Sequence, residues 1–217
     1  MVESVLTETS KRELPFKGEY YGGASLDILR DTLEERVDLA ERGEVVLVLG
    51  EPQDYNDVVR EVVQALVHRR GMRGVFISLD KPCTVLNRVL MDSGVTPDKI
   101  TFIDASGGKN QQHDRNCKPA EPRNLTELSM ELGRIFEGGE IDFTVLASLS
   151  TLRELNDRRS TVTFAHSLSL KTRDRNQILL MLTLRGLRSR TTLSVVPFCD
   201  RVIDLGSEAL KEHMWRH

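Results

Sequence analysis

The sequence predicts an α/β protein built on a mostly parallel β-sheet with helices on both faces. Two observations carry this. Short unbroken apolar runs rich in Val, Ile and Leu, such as Val45–Leu49, suit strands buried on both sides. Segments with helical apolar spacing alternate with these runs through the whole middle of the chain, which calls for parallel strands joined by crossovers. A length of 217 residues suits one such domain, burying roughly 70% of its unfolded surface.

Residues 1–23 are polar, carry Pro15 and close on Tyr20-Tyr21-Gly22-Gly23, which reads as an arm or docking tail. The domain proper runs over 24–206. Leu26, Ile28, Leu29, Leu33, Val37 and Leu39 form a helical face, and Ser25 suits its N-cap. Arg42-Gly43 ends that helix and launches the Val45–Leu49 strand. Gly50 and Pro52 break the strand, and Val58, Val59, Val62, Val63 and Leu66 mark the inward face of the next helix. It stops at His68-Arg69-Arg70-Gly71, with cations in the last turn and glycine at the exit. Val75–Leu79 is a second strand, followed by Asp80, Lys81 and a helix opened by Pro82. Ile100–Asp104 is a third.

Residues 105–122 hold Gly107-Gly108, Lys109, His113, Asp114 and two prolines, with no periodicity, and are expected to be a flexible loop. Asn124–Phe136 reads as a helix and Phe143–Ala147 as a fourth strand. Ser148–Leu152 turns into a short helix, and Thr161–Leu170 is a longer one. Ile178–Leu184 is a fifth strand. Leu193–Phe198 and Arg201–Leu205 are expected to close the sheet as an antiparallel pair, leaving a tail at 207–217.

Composition excludes several functions. A net charge of −3 gives no bulk attraction to nucleic acid or anionic membrane. No apolar run approaches the roughly 20 residues of a bilayer span, and the N-terminus lacks the basic-then-apolar order of a signal peptide. Cys83, Cys117 and Cys199 are odd in number and widely spaced, with no C-x-x-C pair. The expectation is a reducing cytoplasm, no disulfide framework and no zinc site. His113 and Cys117 have the spacing of a metal pair, but two ligands do not make a site. No G-x-S-x-G or H-E-x-x-H is present, and Cys199 and His166 read as buried or core residues rather than as a nucleophile and its base.

The strand–glycine–helix passage from Glu44 to Asp57 is where a phosphate-binding loop, G-x-x-x-x-G-K-[ST], would sit. Counted from Gly50, the second glycine falls on Tyr55, the lysine on Asn56 and the magnesium-holding hydroxyl on Asp57.

The order of segments resembles the RecA-fold ATPase superfamily, and most closely its archaeal KaiC-like branch. Val46–Gly50 with its following helix, Gly74–Pro82, and above all Phe143-Thr-Val-Leu-Ala147-Ser148-Leu-Ser-Thr-Leu152 carry the likeness, with Cys199–Leu205 similar to the family's final strand pair. The resemblance spans residues 24–206. It implies a three-layer RecA-like core of the P-loop NTPase type, and relatives that hydrolyse ATP in rings or filaments, in signalling or in recombination.

The chain departs from that pattern where the chemistry lies. Asn56 carries no charge for a phosphate, and Asp57, with Glu51 and Asp54, places carboxylates within about 10 Å of one. The magnesium-orienting Asp at the end of the Phe143–Ala147 strand is replaced by Ala147, whose methyl cannot coordinate metal or its waters. The acidic position that activates water falls on Asp80-Lys81, where the lysine can pair with the carboxylate. Phosphoryl transfer needs positioning and charge neutralisation. The reading is therefore a degenerate Walker A and a pseudoATPase, holding neither cofactor nor metal and acting as a regulatory or scaffolding module. Its partners would be proteins: further copies of itself or an active RecA/KaiC-like relative. The degenerate loop also suits plain folding, since Asp54 or Asn56 is a good N-cap. The alternative is a chain that still binds or hydrolyses ATP·Mg through a non-standard loop. A third reading, nucleic-acid binding, rests on Lys171, Arg173 and Arg175 before the fifth strand and Arg185, Arg188 and Arg190 after it, grouped at one sheet edge as a phosphate footprint. No aromatic residues interleave them for stacking, and the same cations could instead meet the acidic loop of a neighbouring subunit.

Overall fold

A computed structural model describes residues 33–50, 55–92, 94–95, 97–107, 116–183 and 190–204. The strands are β1 (Val45–Leu49), β2 (Gly74–Ser78), β3 (Ile100–Asp104), β4 (Cys117–Pro119), β5 (Phe143–Ala147), β6 (Ile178–Thr183) and β7 (Arg201–Asp204). They form one seven-stranded sheet in the order β4-β3-β2-β5-β6-β1-β7, and every described pairing is parallel. The helices are α1 (Leu33–Asp38), α2 (Tyr55–Val63), α3 (Cys83–Asp92), α4 (Leu125–Gly138), α5 (Leu149–Leu155), α6 (Arg158–Asp174) and α7 (Arg190–Val195).

Every residue of β1, β2, β5 and β6 is buried, as continuous apolar runs require. Alternate side chains feed two cores. On one face Val46, Val48, Phe76, Phe102, Val145 and Leu180 meet Val58, Val62 and Leu66 of the α2 region and Leu86 and Leu90 of α3. On the other, Leu47, Ile77, Ile103, Leu146 and Met181 meet Leu128 and Leu132 of α4, Leu149 and Leu152 of α5 and Phe164 and Leu168 of α6. Each fully buried Leu, Val or Phe contributes roughly 1.5–3 kcal/mol by leaving water. Gly74 opens β2 opposite Phe143 of β5, where a Cβ would stand 2.1 Å from the Phe143 ring. Only glycine lets the two strands meet over that ring.

The helices run longer than their apolar spacing suggests. After α2 the chain continues as a π-helix over Gln64–Arg69. α6 begins at Arg158 because Asp157 caps it, accepting the Ser160 N–H at 2.9 Å. Asn124 caps α4 in the same way through the Glu127 N–H. Of the helix expected over 26–40, only α1 and the residues after it are described.

The structure overturns three expectations. Among the described residues no antiparallel pair closes the sheet: Arg190–Val195 is helix α7, a short 3-10 turn covers Val196–Phe198, and β7 lies parallel to β1. Leu193, Val195 and Val196 imitate a strand, but Thr191, Thr192 and Val195 are buried at helical spacing. A parallel β7 also needs a crossover from β6, which α7 supplies. Second, the described ends of the 105–122 segment are structured. Cys117–Pro119 is edge strand β4 on β3, with the Ala120 N–H on the Asp104 carbonyl at 2.9 Å, and Ala105 and Ala120 are buried. Residues 108–115, with His113, lie outside the described residues, as do the 1–23 arm and the 207–217 tail. Third, Cys83 and Cys117 form a disulfide, contrary to the expected absence of any. They are 34 residues apart in sequence but meet because parallel β2 and β3 bring the start of α3 beside β4.

Candidate functional site

The carboxyl ends of β1, β6, β5 and β2 lie side by side, the place where α/β sheets hold ligands. Gly50 leaves β1 with its N–H on the Thr183 carbonyl of β6 at 2.9 Å. Residues 51–54, with Glu51 and Asp54, lie outside the described residues. The chain returns at Tyr55, which already belongs to α2, so Asn56 stands in the first turn and does not cap the helix.

Tyr55, at the second-glycine position, is a core residue: it is 2% exposed and packs in the cluster with Val58 and Val62. Lys81 does not pair with its neighbour Asp80. Its ammonium donates to Asn56 Oδ1 at 2.6 Å and stands 5.0 Å from the centroid of the Tyr55 ring, a cation–π distance. A lysine from the end of β2 therefore brings its charge to the residue that replaces the loop lysine. Ser78 Oγ holds that turn by donating to the Lys81 carbonyl at 2.5 Å. The Tyr55 hydroxyl lies beside Ser78, yet no well-aligned hydrogen bond reaches it. Burial, then the Asp80 charge, pushes its pKa well above the phenolic range. Asp57 turns to Arg60, 2.6 Å away on the same helix.

Ala147 ends β5 fully buried. Ser148 follows in the left-handed region at φ 76°, an uncommon conformation for a residue with a Cβ. Its hydroxyl accepts the Thr151 N–H at 3.1 Å, capping α5, and donates to Thr151 Oγ1 at 2.8 Å. Thr151 Oγ1 in turn donates to Asp80. Ser150 Oγ and Thr183 Oγ1 share a hydrogen bond of 2.8 Å. Each hydroxyl of the Ser-Leu-Ser-Thr passage is thus spent inside the fold, and so is the surviving carboxylate. Beside Asn56 an open groove of about 390 Å³ runs between α2 and α3, lined by Asn56, Arg60, Gln64, Val89 and Asp92.

The structure brings together Gly50, Tyr55, Asn56, Asp57, Asp80, Lys81 and Ala147, all at the carboxyl ends of β1, β2 and β5. Among the described residues, the cations of the nucleic-acid reading fall in two places. Lys171 and Arg173 lie in the last turn of α6 and Arg175 just beyond it, before β6 begins, whereas Arg190 opens α7 beyond the far end of β6. Six strand residues separate the two places by roughly 20 Å. Arg173 is paired with Asp200 at 2.9 Å, and Arg175 stands 5.0 Å from the Phe136 ring centroid. Arg185 and Arg188 lie outside the described residues.

Sequence reasoning missed the destination of Lys81, the Ser148–Thr151–Asp80 chain and the meeting of Cys83, Asp104 and Cys117. The run Asp80-Lys81-Pro82-Cys83 was the available signal, since a strand end places such a run at the site. Its partners are distant in sequence.

Comparison with known proteins agrees with this architecture. A KaiC-like protein of the hyperthermophilic archaeon Pyrococcus horikoshii matches in structure with a TM-score of 0.57 at 14% identity, over 75% of this chain and 72% of that one. At that identity the likeness shows the fold: a RecA-like, KaiC-type α/β domain. No curated protein is detectably similar in sequence. The model of one family, DUF7504, a family of unknown function, matches residues 43–205, and the chain belongs to that family.

Proposed function

We propose that this chain is a non-catalytic RecA/KaiC-like domain that works as a regulatory or scaffolding protein through association with other proteins. The observation that carries the reading is the internal use of the would-be catalytic groups. Lys81 is bonded to Asn56, Asp80 accepts from Thr151, Asp57 is paired with Arg60, and the metal-orienting position is a buried methyl. Phosphoryl transfer rests on charge neutralisation by a cation and a metal. The loop position offers no cation of its own, and Ala147 offers the metal no oxygen. Ser148, in the left-handed region after Ala147, spends its hydroxyl on capping α5 and so serves the fold.

One observation favours a second reading. The Lys81 ammonium stands 2.6 Å from Asn56 Oδ1, near the place a loop lysine would serve, so the cradle could bind a nucleotide through a cation supplied by β2. Thermal unfolding with ATP and magnesium separates the two. A ligand at 100 times its Kd stabilises by about 2.7 kcal/mol. The scaffold reading predicts no shift. The second reading predicts a rise that Lys81→Ala abolishes.

A further inference from the structure

We propose that Cys83, Cys117 and Asp104 form a binding site for a zinc-class divalent cation in the reduced chain, and that the disulfide seen here is the closed, oxidised form of that site. Each donor comes from a different element: Cys83 is the first residue of α3, Asp104 ends β3, and Cys117 opens edge strand β4. Their ligand atoms all lie within 4.8 Å of one another. A tetrahedral zinc ion, with bonds of about 2.0–2.3 Å, sets its donors roughly 3.3–3.8 Å apart, so the three need only small displacements to surround one.

The surroundings suit that chemistry. Cys83 and Asp104 are each 1% exposed and Cys117 5%. Asp104 is fixed as a ligand would need: Oδ1 accepts the Ser106 N–H at 3.0 Å and the Ser106 hydroxyl at 2.6 Å, while Oδ2 accepts the Cys83 N–H at 2.8 Å and lies 4.0 Å from Cys117 Sγ. Such contacts orient a metal-binding carboxylate. Cys83 sits at the N-terminus of a ten-residue helix, whose dipole favours a thiolate. Two thiolates and one carboxylate select a borderline-soft ion such as zinc over magnesium or calcium. The fourth position is left to a water molecule. This revises the expectation of no zinc site, which rested on spacing along the chain.

The two states interconvert by balanced steps. A dithiol reductant supplies two electrons and two protons; the Sγ–Sγ bond breaks, two thiols form, and the reductant leaves as its own disulfide. The cation then forms two metal–sulfur bonds as both thiol protons pass to solvent.

Cobalt(II) is the probe, titrated anaerobically into the full chain after reduction and removal of the reductant. The expected result is one ion per chain, with a thiolate-to-cobalt charge-transfer band and the visible bands of a tetrahedral ion. Cys199→Ser should keep those bands, while Cys83→Ser and Cys117→Ser lose them and the oxidised chain shows none. Asp104→Asn should weaken binding by at least about tenfold. Because Asp104 also holds the start of α3, far-ultraviolet circular dichroism accompanies that variant. Cys117→Ser, on the short edge strand, decides the matter if Asp104→Asn fails to fold. A reduced chain without the bands, bands that survive Cys117→Ser, or a folded Asp104→Asn that binds equally well would overturn the proposal.

Discussion

The end of β1 and the end of β3 offer the same backbone opportunity, a strand running into a turn at the carboxyl edge of one parallel sheet, and they have been filled in opposite ways. Beside β1 the groups that could serve a ligand serve each other: Lys81 is on Asn56, Asp57 is on Arg60, and Tyr55 has become core. Beside β3 a carboxylate and two sulfurs converge within 4.8 Å. Position in a fold therefore does not fix use. The side chains do: near β1 the polar groups bond one another, while near β3 three possible donors converge.

The contrast can be broken at either end. The largest effect is expected at Tyr55. If its ring is core rather than a lid over a ligand, Tyr55→Ala costs about 3–5 kcal/mol in urea denaturation, as large aromatic deletions do. Tyr55→Phe removes only a buried hydroxyl without a hydrogen-bond partner, so it should be neutral or slightly stabilising, by about 1 kcal/mol or less. A marked loss in Tyr55→Phe would mean that the hydroxyl does more than pack.

Reducing the Cys83–Cys117 bond should come next. Releasing a loop closed over 34 residues costs roughly 3–4 kcal/mol by chain entropy. Denaturation in reductant and chelator reads that loss, and restoring part of it with zinc would tie the stability of the edge to the proposed ion.

Cys199 gives the smallest effect. Burial, with the Asp200 charge adding to it, pushes its thiol up to about 12 from an ordinary value near 9. The folded chain therefore holds this proton more tightly than the unfolded chain. The resulting stability is complete below pH 9 and is lost as pH climbs toward 12, and the raised Tyr55 phenol acts in the same direction. Cys199 is partly buried, so iodoacetamide at pH 8 should label it far more slowly in the native oxidised chain than on denaturation. Rapid native labelling would contradict the burial.

Much of the fold was legible because it is written locally. The runs Val45–Leu49, Phe143–Ala147 and Ile178–Thr183 are too apolar to be anything but strands covered on both sides, and their alternation with helices forces parallel pairing. α7 was not legible, since Val195 and Val196 in the expected Leu193–Phe198 strand have strand-like side chains and only the crossover to β7 makes Arg190–Val195 helical. Gaps in the candidate site were readable too, because Asn56 and Ala147 can be recognised by counting along a motif. What replaced them was not. Lys81 reaches Asn56 across 25 residues, Asp80 meets Thr151 across 71, and Cys83 meets Cys117 across 34. Such contacts depend on strand order, which no local pattern encodes.

The most direct measurement is isothermal titration of ATP with magnesium into the purified chain, repeated with ADP. The account predicts no saturable heat at millimolar nucleotide. Stoichiometric binding with a micromolar Kd would contradict it.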